Sequence, residues 1–138
     1  MIRYATKNDA KEMHMLILQL NSDDFSYDDF CRTLLRNLLS NHCLVEEIDG
    51  KIVGLGVLSI IYPLHHCAKI GEVMELVVDE NSRGKGTGKR LLDMLTTIAK
   101  EQGCKGIELS SNQKRKDAHR FYEREGFVNT HYKLTKKA

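Results

Sequence analysis

The sequence predicts a mixed α/β fold, a central sheet flanked by about four helices, and three observations lead to it. Apolar residues with helical spacing open the chain, strand-like runs fill its middle, and a strand–helix–strand pattern follows in its second half. Strands joined by a tight turn are antiparallel, whereas two strands joined through a helix form a parallel pair. We therefore expect central antiparallel strands beside one parallel pair.

The composition is that of a globular protein. The chain has 138 residues, and we expect residues 1–138 to form a single domain. Hydrophobic residues make up 41% and charged residues 29%, which disfavours disorder. The formal net charge of +2 is a weaker basic excess than nucleic-acid-binding domains usually carry. No apolar run is long enough for a membrane helix and no secretory leader is visible, so we expect a cytoplasmic protein without nucleic-acid or membrane partners.

The cysteines and histidines give no sign of a metal site. The four cysteines, at positions 31, 43, 67 and 104, contain no C-x-x-C pair, and we expect buried free thiols. The run His65-His66-Cys67 brings metal-ligating residue types together, but three adjacent residues cannot easily close a tetrahedral shell. The sequence therefore predicts no bound metal.

Two N-terminal helices are expected after a short strand at residues 2–5. Thr6 and Asp9 resemble a capping box, and Ser26 begins a second cap. Behind each cap, apolar residues recur at the spacing of one helical face; the second stripe could line a substrate groove, but we expect it to lie in the core. They are Met13, Leu16, Ile17 and Leu20 in the first helix and Phe30, Leu34, Leu35, Leu38 and Leu39 in the second.

A meander of antiparallel strands is predicted next. Residues 43–48 and 51–62 flank Asp49-Gly50, a strong hairpin signal because both turn positions of the favoured turn need positive φ. Gly54 and Gly56 lie inside the second strand, where they favour a bulge or a close approach of backbone. Residues 69–78 form a third strand.

The second half alternates helices with strands. A polar turn after residue 78 leads into a helix that Gly103 ends, and residues 105–110 form the next strand. A last helix ends at Gly126, and we expect a final short strand from Phe127 onward.

The turn after residue 78 carries the clearest chemical signal. Gly84, Gly86 and Gly88 lie where a strand gives way to a helix, whose first N–H groups are unpaired and attract anions. Basic residues surround these glycines, which favours a phosphate or diphosphate. The spacing fits neither a Walker A loop, which would need glycine in place of Arg83, nor the dinucleotide motif G-x-G-x-x-G.

Two motifs resemble those of the GNAT superfamily of acetyl-CoA-dependent N-acetyltransferases. Arg83-x-x-Gly86-x-Gly88 matches that family's signature, in which arginine or glutamine is followed three positions later by glycine and two positions after that by glycine or alanine. Asn112 and the run from Ala118 to Phe127 are similar to the family's N…A…FYE…GF block. The resemblance covers nearly the whole chain. It implies a GNAT-like acyl-CoA N-acyltransferase fold, with the parallel pair splayed to admit the cofactor.

The resemblance implies acetyl-CoA as co-substrate and suggests which residues bind it. Backbone groups of Leu76, Val77 and Val78 would bind the pantetheine arm, and Asn112 would contact the cofactor from the following strand. The turn residues that would hold the diphosphate are Arg83, Gly84, Lys85, Gly86, Thr87, Gly88 and Lys89.

The resemblance also implies direct attack of a primary amine on the thioester. A strand carboxylate would take the amine proton, and we rank Glu75 ahead of Glu72. Strand alternation places these two carboxylates on opposite faces unless a bulge intervenes, as it usually does in the family. Tyr122 would protonate the departing thiolate, and His119 lies one helical turn earlier.

The acceptor is not determined by the sequence, which leaves small-molecule and peptide amines open. Acidic residues around the start of the second helix mildly favour a cationic acceptor, although such residues are also normal at helix starts. They are Asp23, Asp24, Asp28 and Asp29. A CoA-binding sensor or partner module without turnover is the alternative function, and a homodimer is the assembly left open.

Overall fold

The computed structural model describes residues 1–20 and 24–138, and these contain five strands and four α-helices. The strands form one sheet in the order β1-β2-β3-β4-β5, in which β1 to β4 are antiparallel neighbours and the α3 crossover links β4 to β5. The predicted mixed sheet is confirmed. The elements are β1 (Ile2–Tyr4), α1 (Ala10–Leu20), α2 (Tyr27–Ser40), β2 (His42–Ile48), β3 (Lys51–Ile61), β4 (Ile70–Val78), α3 (Thr87–Glu101), β5 (Gly106–Leu109) and α4 (Lys116–Arg124).

The chain divides into two compact units. The first, Met1–Glu108, contains helices α1 to α3 and all of the sheet except its last residue. The second, Leu109–Ala138, contains α4 and the C-terminal segment. No helix among the described residues is long and apolar enough to cross a bilayer.

Local signals in the sequence correctly marked the ends of several elements. Thr6 and Asp9 form both halves of a capping box, and the Ser26 hydroxyl accepts a hydrogen bond from the Asp29 N–H at 3.0 Å. Asp49 and Gly50 have φ values of 52° and 75°, as a tight two-residue hairpin turn requires. These predictions are confirmed.

Helices α1 and α2 cover one face of the sheet with a narrower apolar stripe than the sequence suggested. Buried side chains of this core include Met13, Leu16, Leu34, Val57 and Val77, with Phe30 and Leu38 packed against them. The expectation that Leu35 and Leu39 lie in the core is wrong, because their side chains are 49% and 89% exposed. Each lies one residue beyond the buried stripe, and one residue turns a helix by about 100°.

Helix α3 packs against the opposite face, where glycines in β3 allow it to approach closely. A Cβ atom on Gly54 would lie 2.7 Å from Thr87 Cγ2, and one on Gly56 would lie 3.0 Å from Leu95 Cδ1. The β2–β3 register also shifts beside Gly54, where Val53 is an extra residue. Both readings of these glycines, a close approach and a bulge, are therefore confirmed.

The expectation of a final strand from Phe127 onward is wrong. No strand is assigned between residues 125 and 138, although apolar side chains alternate there. Val128, Tyr132 and Leu134 are exposed, so this alternation covers no apolar surface within the chain as described. Hydrophobic alternation yields a stable strand only where a neighbouring strand and an apolar layer accept it.

The four cysteines are free thiols, as expected, but they are not all buried. Cys43 is buried in the core beneath α1 and α2, and this burial raises the pKa of its thiol to about 11. Cys67 is exposed in the β3–β4 connection, which corrects the expectation for that residue.

Replacing Gly54 by alanine tests the close approach of α3. Because the new methyl group would meet Thr87 Cγ2 at 2.7 Å and the Val77 carbonyl oxygen at 3.1 Å, we expect the free energy of unfolding to fall by about 1–3 kcal/mol. Chemical denaturation measures this change. Gly106→Ala is the matched control, since a Cβ atom on Gly106 would meet Ile70 Cδ1 only at 4.0 Å. An equal effect of both substitutions would contradict the packing argument.

Candidate active site

The β4–α3 turn consists of a short 3-10 segment followed by glycines in the left-handed region. After Glu80–Ser82, Gly84 and Gly86 have φ values of 80° and 86°, and α3 begins at Thr87. Residues other than glycine rarely adopt such backbone angles, which explains why glycine occupies these two positions. The turn thus brings the chain from the end of the sheet into the first turn of α3.

The start of α3 presents backbone N–H groups. Arg90 N–H donates to the Gly86 carbonyl at 2.9 Å, which closes the first helical turn. Among the described residues, no acceptor is assigned to the backbone N–H groups of Gly86, Thr87 and Gly88. Three adjacent donors at the positive end of a 15-residue helix suit an anion, as the sequence predicted for this turn.

The basic side chains of the turn differ in their pairing. Arg83 and Lys85 are exposed, and the exposed Lys89 ammonium lies 3.3 Å from the Asp93 carboxylate. Arg90 is bound to the buried carboxylate of Glu46, so its charge is largely neutralised from within. Sequence reasoning included Arg90 among the basic residues around the glycines and did not identify Glu46. The available signal was a carboxylate directly after the buried run Cys43–Val45, the first of the pair Glu46-Glu47.

The beginning of the turn is attached to α1. The buried Asp79 carboxylate accepts a hydrogen bond from Gln19 Nε2 at 3.2 Å, and Gln19 Oε1 accepts one from the Glu80 N–H at 3.1 Å. The Gln19 hydrogen bond is the main cause of the lowered pKa of Asp79, to which the Lys51 ammonium adds. One glutamine side chain therefore fixes two successive residues of the turn.

The last residues of β4 lie beyond the length of β5. Leu76, Val77 and Val78 pair with β3 along one edge of the strand. On the other edge, Lys105 N–H donates to Lys69 O at 2.8 Å, next to the first residue of β4. Since β5 has four residues and β4 has nine, strand β5 accounts for only the first part of this edge.

A β-bulge brings Glu72 and Glu75 to the same face of the sheet. Glu75 is opposite Val57 and Glu72 is opposite Ser59, while Met74 is an extra residue between them. Residues two apart on β3 share a face, and residues directly opposite each other do as well. The strict alternation that would separate the two carboxylates is therefore absent, and they lie on the face that α1 and α2 cover.

The environment of Glu75 makes its carboxyl a weaker acid than usual. Its side chain is half-buried, and burial raises the pKa of its carboxyl above the ordinary value. Among the described residues, no hydrogen-bond donor is assigned to this carboxylate. A carboxylate that binds a proton more readily than usual is suited to act as a base.

Tyr122 belongs to the second unit and is buried there. Its ring packs against Phe121 and Phe127, with ring centroids 5.3 Å and 5.8 Å away. Burial raises the pKa of the Tyr122 phenol, while the nearby Arg115 charge acts in the opposite direction. The phenol is thus held in its protonated form, which is the form of an acid.

Asn112 organises the loop before α4. Its side-chain oxygen accepts a hydrogen bond from the Lys114 N–H at 2.9 Å, which forms a local turn. Its backbone carbonyl accepts hydrogen bonds from the Arg115 N–H at 3.0 Å and from His119 Nε2 at 2.8 Å. The His119 ring is therefore held by the loop.

The His65-His66-Cys67 run remains a surface feature. The two imidazoles lie 4.3 Å apart by ring centroids, and His66 Nε2 is 3.1 Å from a Glu108 carboxylate oxygen. Within residues 1–20 and 24–138, no group of three or more His, Cys, Asp or Glu side chains could hold a metal ion.

The fold is a mixed sheet whose β4–α3 turn presents backbone N–H groups at the start of a helix, and comparison with known proteins identifies its family. The sequence profile of the acetyltransferase (GNAT) family matches residues 9–127. The chain therefore belongs to the GNAT family of acetyltransferases, which confirms the resemblance carried by its two motifs.

Two relatives extend the match at the level of sequence. The chain is 38% identical over 137 residues to the aminoalkylphosphonate N-acetyltransferase of Salmonella typhimurium, an alignment that covers 98% of this chain and 89% of that protein. It is 33% identical over 96 residues to the glucosamine 6-phosphate N-acetyltransferase of Arabidopsis thaliana, which covers 68% of this chain and 62% of that protein.

Solved structures have the same fold. The crystal structure of glucosamine-6-phosphate N-acetyltransferase from Arabidopsis thaliana gives a TM-score of 0.81 at 28% identity, over 99% of this chain and 97% of that one. An aminoglycoside N-acetyltransferase solved in complex with CoA gives a TM-score of 0.88 over 100% and 93% of the two chains. At 17% identity, the latter likeness concerns the fold alone.

The raised pKa of Glu75 has a consequence for stability. A carboxyl whose pKa is higher in the folded state stabilises the fold below its unfolded pKa, and this contribution is lost as pH rises through the folded pKa. We therefore expect Glu75→Gln, which stays neutral, to raise the melting temperature more at pH 8 than at pH 4. Calorimetry at both pH values measures the difference, and Glu72→Gln controls for removing a negative charge from the same face. A gain at pH 8 no larger than at pH 4 would refute this account.

Proposed function

We propose that this protein transfers the acetyl group of acetyl-CoA to a small primary amine that carries a phosphonate or phosphate group. The amide-lined turn at the start of α3 is the observation that carries the donor half of the proposal. The 38% identity to an aminoalkylphosphonate N-acetyltransferase along nearly the whole chain supports the acceptor half.

The donor would be bound mainly through backbone groups. The N–H groups of Gly86, Thr87 and Gly88 are suited to hold the diphosphate of CoA, and the exposed Arg83 and Lys85 add positive charge. The backbone of Leu76, Val77 and Val78, along the edge that extends past β5, is suited to bind the pantetheine arm as a further strand would. A contact of Asn112 with the cofactor rests on the family motif.

The reaction needs a base and an acid, but no nucleophile from the enzyme. The amine nitrogen attacks the thioester carbonyl carbon, so that a C–N bond forms while the C–S bond breaks. A primary alkyl amine has a pKa of about 10.4 and must first lose a proton. Glu75 would take that proton, directly or through water, and Tyr122 would give its phenolic proton to the departing thiolate; the proton that the nitrogen loses as the amide forms would restore the phenol.

Burial supports these two roles. It raises the pKa of the Glu75 carboxyl, which strengthens this group as a base, and it keeps the Tyr122 phenol protonated until it acts. Glu72 lies on the same face as Glu75 and is the second candidate for the base. The family profile crosses the boundary between the two units, which supports one N-acetyltransferase domain over residues 1–138.

The acceptor class follows from what the relatives' names have in common. Aminoalkylphosphonates and glucosamine 6-phosphate both combine a primary amine with a phosphorus oxyanion. Among the acidic residues that mildly favour a cationic acceptor, Asp29 has a local role. The Asp29 N–H is capped by Ser26 and its carboxylate pairs with Arg32, whereas Asp23 lies outside the described residues.

Matched pairs of amines test the acceptor. We expect 2-aminoethylphosphonate and glucosamine 6-phosphate to be acetylated with a kcat/KM at least about tenfold above that of propylamine and glucosamine, because a lost charged contact costs about that factor. Thiol release and mass spectrometry measure turnover. Equal rates for both members of each pair would contradict the proposed acceptor, and CoA binding without thiol release for any amine would favour a sensor over an enzyme.

The substitution Tyr122→Phe tests the acid. Loss of a positioned proton donor should lower kcat by about a hundredfold, whereas the Kd for CoA should stay within about twofold because the change leaves the ring in place. Steady-state kinetics and calorimetric titration measure the two constants. Tyr132→Phe is the control, since that tyrosine is 88% exposed in the C-terminal segment. A kcat equal to that of the wild type would rule out the role.

A further inference from the structure

Glu46 is a buried carboxylate on the face of the sheet that α3 covers. It lies at the end of the regular part of β2, directly opposite Gly54, and its side chain is 4% exposed. Because Gly54 has no side chain, the Glu46 carboxylate can reach the first turn of α3. A buried charge is costly unless it is paired and hydrogen-bonded, so its partners are informative.

Both oxygens of Glu46 are bound by α3. Oε1 accepts hydrogen bonds from Thr87 Oγ1 at 2.7 Å and from Arg90 Nη2 at 2.7 Å, and Oε2 accepts one from Arg90 Nε at 2.9 Å. The arginine fork therefore meets the carboxylate in a bidentate pair, the strong form of this interaction. Glu46 and Arg90, which are 44 positions apart in sequence, are thus joined directly beside the turn.

The same guanidinium continues to the backbone of the turn. Arg90 Nη1 donates to the Lys85 carbonyl oxygen at 3.0 Å, and a Cβ atom on Gly86 would lie 2.8 Å from that nitrogen. The Lys85–Gly86 peptide is trans, so its N–H points away from its carbonyl. Fixing the Lys85 carbonyl towards Arg90 therefore directs the Gly86 N–H to the opposite side of the turn.

We propose that Glu46 is a positioning residue for the anion-binding turn and acts through Arg90. Glu46 holds the guanidinium, the guanidinium holds the Lys85 carbonyl, and the Gly86 N–H is thereby aimed at the diphosphate of CoA before it arrives. Thr87, bound to the same carboxylate, fixes the first residue of α3. Such preorganisation improves affinity by lowering the cost of ordering the turn on binding. This inference rests on the proposed use of acetyl-CoA.

The substitution Glu46→Gln tests the proposal because it preserves shape and removes the charge that holds Arg90. We expect the Kd for CoA, measured by calorimetric titration, to rise about tenfold, the effect of losing a charge-assisted hydrogen bond. The loss should appear in the KM for acetyl-CoA and not in kcat at saturating donor. Melting temperatures of the unliganded variants report folding separately.

Glu47→Gln is the matched control. Glu47 is the next residue on β2 and also forms an ion pair, with Arg3 at 2.8 Å, but it has no contact with the turn. Its substitution should leave the Kd for CoA within about twofold. An unchanged Kd in Glu46→Gln, or a parallel fall of kcat, would overturn the proposal. A wild-type protein that binds no CoA would instead refute the proposed function itself.

The substitution Arg90→Lys provides a second test that leaves no buried carboxylate unpaired. A lysine ammonium keeps the charge beside Glu46 but lacks the planar fork that reaches both Glu46 and the Lys85 carbonyl. We expect a similar, about tenfold, rise in the Kd for CoA. Wild-type affinity in this variant would show that the link to Lys85 is not needed, and the proposal would be wrong.

Discussion

The close packing of the first turn of α3 on β3 is the constraint on which the candidate site depends. Thr87 lies against Gly54, where any side chain would displace it, and the Glu46 carboxylate reaches α3 across the same glycine. The helix start is therefore fixed by sheet backbone on one side and by a buried ion pair on the other. Two left-handed glycines complete the path from β4 into α3. A sheet position without a side chain thus determines where three backbone N–H groups are presented.

Desolvation links the core of the protein to its proposed chemistry. The same burial that packs Tyr122 between Phe121 and Phe127 keeps its phenol protonated, and half-burial makes Glu75 a better proton acceptor. Neither shift requires a specific charged partner as its main cause. Exclusion of water thus sets the pKa values of the proposed acid and base. The structural carboxylates differ: a hydrogen bond from Gln19 lowers the pKa of Asp79, and hydrogen bonds from Arg90 lower the pKa of Glu46, because they stabilise the charged forms.

Features set by neighbouring residues could be predicted from the sequence, and features set by distant ones could not. The Thr6 cap, the Asp49-Gly50 hairpin and the turn at Gly86 depend on local backbone preferences, so short patterns reveal them. The Glu46–Arg90 pair joins positions 44 apart, and no local rule connects them. Leu39 has the spacing of a core residue, but the structure shows a narrower stripe. The family motifs identified the turn, whereas the faces of Glu72 and Glu75 depended on one extra residue that β-strand patterns do not reveal.

That extra residue, Met74, shifts the alternation of faces along β4 by one residue. It is 49% exposed and pairs with no residue of β3, so its side chain matters less than the one-residue offset that it introduces. Deleting it would give a regular strand in which Glu72 and Glu75 are two positions apart and still share a face. The amino acid at position 74 can therefore be exchanged or removed without separating the two carboxylates, whereas regular pairing of Met74 with β3 would place them on opposite faces.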